Sequence, residues 1–62
     1  MQSKEIAIKT LESRIEAIRN AIAKMRKDAT SATRANVEMA IEMLALPELA
    51  KVQAELAQIE NS

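Results

Sequence analysis

Between Ile8 and Met25 the chain sets Ile8, Leu11, Ile15, Ile18, Ile22 and Met25 at alternating spacings of three and four, with charged and small residues between them. That alternation is the a/d seam of a helix that packs lengthwise against other helices. The expected first helix runs from about residue 4 to about residue 27, roughly 36 Å at 1.5 Å per residue. Ser3 can cap its N-terminus, and Glu5 sits in the first turn, where the helix dipole favours an anion. Glu5–Lys9, Lys9–Glu12 and Glu16–Arg19 have the spacing of ion pairs along a helix surface. Lys24, Arg26 and Lys27 crowd the last turn, where the dipole favours cations.

The seam lapses at Asp28-Ala29-Thr30-Ser31-Ala32-Thr33. Short polar and β-branched side chains compete for backbone hydrogen bonds and favour caps and turns over helix interiors. A turn over about 28–32 is expected, with Asp28, Thr30 or Ser31 as the cap of the next helix. The competing pattern is an unbroken helix: the a/d count continues through Ala29 and Ala32, but then meets Asn36 at an a position.

The second arm, about 33–60, matches the first in length, as an antiparallel hairpin requires. Its apolar stripe changes line. At 100° per residue Val37, Ile41 and Leu44 fall together, whereas Leu49, Val52, Leu56 and Ile59 fall about 80° away. The offset demands a change of direction or phase near Pro47. Proline lacks a backbone donor and clashes with the preceding turn unless it opens a helix, so a kink or break is expected there. A second apolar line, Met39, Met43, Leu46 and Ala50, lies nearly opposite the first and leaves only Arg34, Glu38 and Glu42 as a polar strip. A helix apolar on two sides is buried on two sides. One side can face the first helix and the other a neighbouring chain.

The expected fold is therefore all-α: a single domain over residues 1–62, an antiparallel helical hairpin with its second arm kinked or broken at Pro47. Such hairpins would assemble into a homo-oligomeric helical bundle, a dimer or larger. Composition strengthens this. The chain has 62 residues, no Gly, Cys, His or aromatic residue, and one Pro. A chain so short buries too little surface to be comfortably stable alone, and no disulfide can staple it. The uncharged stretch Met43–Pro47 is far too short to span a bilayer, and the first residues lack the apolar core of a signal peptide, so no membrane partner and a cytoplasmic location are expected.

The formal net charge of zero hides an asymmetry: residues 1–34 carry eight Lys/Arg against four Asp/Glu, and residues 35–62 carry one Lys against five Glu. A basic and an acidic arm attract each other, within or between chains. Without His or Cys there is no obvious general base or nucleophile, and no Gly-rich loop to cradle a cofactor phosphate. No enzymatic activity, cofactor or metal is expected. Glu38 and Glu42 share a helix face but lack the His partners of a carboxylate metal site, so they read as a solvated strip.

The one candidate ligand site is the turn. Lys24, Arg26, Lys27 and Arg34 gather cations there if the hairpin forms, and Thr30, Ser31 and Thr33 add hydroxyls. Phosphate is the natural guest of such a set. The candidate binding residues are Lys24, Lys27, Thr30, Thr33 and Arg34. The competing reading is that the cations only favour a helix C-terminus and keep it soluble. Extended nucleic acid is disfavoured, because no aromatic residue offers a stacking platform.

The segment Thr33-Arg34-Ala35-Asn36-Val37-Glu38-Met39-Ala40, behind a basic-ended helix carrying Leu11-Glu12 and Ile15, resembles the helical-hairpin domain of phage anti-defence sponges. Those proteins sequester the cyclic nucleotide signals of CBASS- and Thoeris-type immunity. The matching positions are Asp28, Arg34, Val37, Glu38 and Ala40, within residues 8–46. The chain departs from that pattern at Glu42, where the family often has Met, and in having no Trp or Phe in this helix. The resemblance implies a compact homo-oligomer that binds a cyclic di- or trinucleotide between chains, with no chemistry performed. The alternative is a protein–protein interaction module, an adaptor, assembly factor or inhibitor acting through its helical surface.

Overall fold

A computed structural model describes residues 2–62, with side chains from Ser3 onward. The chain forms α1 (Gln2–Asp28), a five-residue turn, and a second arm made of α2 (Arg34–Ala40), a π-helical turn (Ile41–Ala45) and α3 (Leu46–Glu60). The fold is an all-α helical hairpin. Its antiparallel sense is fixed by contacts whose partners descend as α1 ascends: Lys4 reaches Ser62, Arg14 reaches Glu48, and Arg26 reaches Glu38. α1 starts one residue before Ser3, which therefore lies inside the helix rather than capping it.

The α1 seam packs as its spacing predicts. Leu11, Ile15 and Ile22 are buried, and Ile8, Ile18 and Met25 are half-buried. Leu11 and Ile15 pack with Val52, and Ile18, Leu49, Leu56 and Ile59 close around them. Ile41 and Val52 have no exposed surface. The turn falls at residues 29–33 and rules out the unbroken helix.

The stripe offset of the second arm is absorbed by the π-helical turn. There the Leu46 N–H donates to the Ile41 carbonyl, five residues back instead of four. Pro47 follows in the first turn of α3, and because the arm stays helical from α2 through the π-helical turn, its missing N–H leaves one bond of the helical ladder unmade there. A turn widened by one residue sets every later side chain back by up to about 100°, which brings Leu49, Val52, Leu56 and Ile59 into line with Val37 and Ile41. Leu44 illustrates the consequence. Helical spacing groups it with Ile41, yet it is 74% exposed, and the inward place after Ile41 passes to half-buried Ala45.

The hairpin is a thin slab, 49 × 16 × 11 Å, with a radius of gyration of 14.4 Å. A compact domain of this length would have about 10.5 Å. Its accessible surface of 4878 Å² likewise exceeds the roughly 3,950 Å² of a compact monomer of its mass. Two helices side by side make one layer, and one layer cannot cover both of its faces.

Candidate functional site

The turn is built by a reciprocal pair of threonines. The Thr30 N–H donates to Thr33 Oγ1 at 2.9 Å, and the Thr33 N–H points back at Thr30 Oγ1 at 3.3 Å. The two hydroxyl oxygens stand 3.1 Å apart, close enough for one to donate to the other. This is the logic of a capping box, with Thr33 in the place usually taken by Glu or Gln. The N-cap of α2 is instead Thr33, which makes no side-chain bond to the helix, so none of Asp28, Thr30 and Ser31 caps it; the threonine pair closes the turn ahead of it. Backbone bonds from the Thr33 N–H to the Thr30 carbonyl and from the Val37 N–H to the Thr33 carbonyl carry the turn into α2.

Beside it, Arg26 spans the two arms. Its Nε and one terminal nitrogen donate to the two carboxylate oxygens of Glu38 at 3.1 and 3.2 Å, a forked pairing. The hydrogen bond first, and the carboxylate's charge second, push the Arg26 guanidinium above its ordinary pKa. An open depression next to this pair is lined by Arg26, Ala29, Arg34 and Glu38.

The five candidate ligand residues are therefore only partly brought together. Thr30 and Thr33 are in mutual contact, with their hydroxyls committed to each other and to the turn's backbone. Arg34 shares the depression with Arg26 and Glu38. Lys24 and Lys27 are exposed and, by helical periodicity, point roughly 150° away from the seam, onto the outer face of α1. Glu38, read in sequence as part of a solvated strip, is the anion that ties Arg26 across the turn. The signal for that pairing was a cation three residues before the turn and an anion five residues after it, on arms that run side by side. Among the described residues, no group of three or more acidic side chains converges in a way that could hold a metal ion.

A second feature is apolar. A groove between the arms is lined by Ile18, Ala21, Met25, Ala40, Leu44 and Ala45, and ends at Glu48, which is paired with Arg14. A second hollow, holding Asn36, Met39 and Met43, shares Ala40 and Leu44 with it, so the two form one continuous surface. Met39 is 58% and Met43 69% exposed. A further groove between the arms, of about 480 Å³, is mixed: Ile15, Leu56 and Ala57 line it together with Glu12, Glu16, Arg19, Gln53 and Glu60.

No protein-family model, no curated protein and no solved structure matches this chain. Among the described residues, no helix is long and apolar enough to cross a membrane.

Proposed function

We propose that this chain is a non-enzymatic helical interaction module whose working surface is the apolar face around Leu44. The observation that carries the reading is the continuity of that face: Met39, Met43 and Leu44 stand exposed beside a groove floored by Ile18 and Met25. Contiguous apolar surface of this kind marks a protein–protein contact, whereas scattered exposed apolar residues need no explanation. Flexible methionines suit a surface that must adapt to a facing helix. The test is Leu44→Lys with Met43→Lys. On a bare surface both changes are nearly neutral, within about 0.5 kcal/mol. On a covered interface they bury charge, and the thermal midpoint falls by 10 °C or more, about twice the shift expected for 1 kcal/mol in a domain this small. An unchanged midpoint overturns the reading.

A second reading, capture of a phosphate-bearing ligand such as a cyclic di- or trinucleotide, draws on the depression where Arg26 and Arg34 set two guanidiniums against the single carboxylate of Glu38. Lys24 and Lys27 would contribute from the outer face of α1, and Thr30 and Thr33 would hold the frame. Tight binding must raise the melting midpoint, by an amount set by ligand concentration over Kd. No shift across a panel of cyclic dinucleotides at concentrations far above micromolar would sink it.

A further inference from the structure

Resting on the reading of the Leu44 face as an interface, we infer that its occupant is a second copy of this chain. The two hairpins pack face to face about a two-fold axis that runs along the helices, so both turns lie at the same end of a four-helix bundle.

Area and charge carry the argument. The chain exposes about 900 Å² more than a compact monomer of its mass, close to the roughly 800 Å² that each partner contributes to a standard stable interface. One identical partner therefore suffices to bring the surface back to normal. A face-to-face pair can place its axis either along or across the helices. An axis across them stacks α1 on α1 and second arm on second arm. That sets α1, with seven Lys/Arg against four Asp/Glu, against itself, and the second arm, with five Glu against Arg34 and Lys51, against itself. An axis along them lays each basic α1 over the partner's acidic second arm, for the whole length of the hairpin, and superimposes the two apolar surfaces at the turn-proximal end. Opposite potentials meet in this arrangement only, and like charges facing each other oppose the alternative. Every helix is then antiparallel to both neighbours, the arrangement of an up-down bundle.

The natural absence of cysteine makes the test direct. Ser31→Cys in the turn and Gln58→Cys near the open end are both exposed and can each carry a single spin label. Light scattering on the unlabelled chain should give twice the mass of one chain. With interaxial distances of about 8–10 Å, the two labels in the dimer of either variant should lie within roughly 30 Å of each other. A crossed axis centred on the apolar surface instead separates the Gln58 labels by more than about 40 Å. That result, or a mass other than a dimer's, overturns the inference. A chain that stays monomeric and poorly helical at every concentration removes the second copy as occupant but leaves a face in need of a partner. A fully helical monomer removes both the occupant and the interface reading beneath it.

Discussion

At the scale of single residues, the hairpin depends on few side chains, and their roles differ in kind. Ile41 and Val52, without exposed surface, lock the second arm onto α1 by packing alone. Thr30 acts through hydrogen bonds: its hydroxyl and backbone N–H exchange bonds with Thr33 and start the second arm. Removing the hydroxyl's bonds with Thr30→Ala should cost about 1 kcal/mol, and thus lower the melting midpoint by roughly 4–8 °C. Ser31→Ala, one residue on, makes no such bond and should leave the midpoint unchanged. Circular dichroism melts of the two variants settle the matter, and equal midpoints would contradict the assignment. The sequence offered Asp28, Thr30 and Ser31 as caps because all three side chains can accept from a nearby N–H, whereas the second helix starts after Thr33, without a side-chain cap. The role of Thr30 needed the turn's geometry, since the spacing from Thr30 to Thr33 lets two threonines serve each other within the turn. Arg26 is similar. It was visible as a cation in the last turn of α1, but its tie to Glu38 depends on where the turn sets the second arm.

At the scale of elements, α1 was legible almost position by position, because six apolar residues at three-four spacing admit no other regular structure that buries them together. The second arm was legible only as a conflict: two stripes offset by about 80° with a proline between them. A kink, a break and a change of phase all resolve such a conflict, and the π-helical turn Ile41–Ala45 supplies the change of phase. Its effect on Leu44 escapes any count that assumes 100° per residue. The turn amounts to one residue more than the α-helical ladder needs. Deleting exposed Glu42 together with Pro47→Ala should therefore give a continuous α-helix with its stripe still aligned, and a chain that retains its helicity. Deleting exposed Gln53 from α3 instead rotates Leu56 and Ile59 by about 100° out of the seam and should abolish the cooperative melt. If both deletions behaved alike, the π-helical turn would not be setting the phase.

At the scale of the whole molecule, two helices form one layer with an apolar face and no second layer to cover it. Oligomerisation was expected from the line Met39, Met43, Leu46 and Ala50. In the structure Met39, Met43 and Leu46 stand exposed, and Leu44, turned outward, joins the surface. The ligand site at the turn was less legible. Clustering in sequence gathered Lys24 and Lys27 with Arg34, whereas helical periodicity sends those two lysines to the outer face of α1. The central claim is that the hairpin is stable only when this face is covered by a second chain. A core of this size seldom supplies more than about 3–5 kcal/mol by itself. The most direct test is helix content by far-ultraviolet circular dichroism, followed through a dilution series from near-millimolar to sub-micromolar chain. The account predicts a cooperative loss of helix on dilution, with a melting midpoint that rises with concentration. Helix content and midpoint that stay constant over the whole range would contradict it.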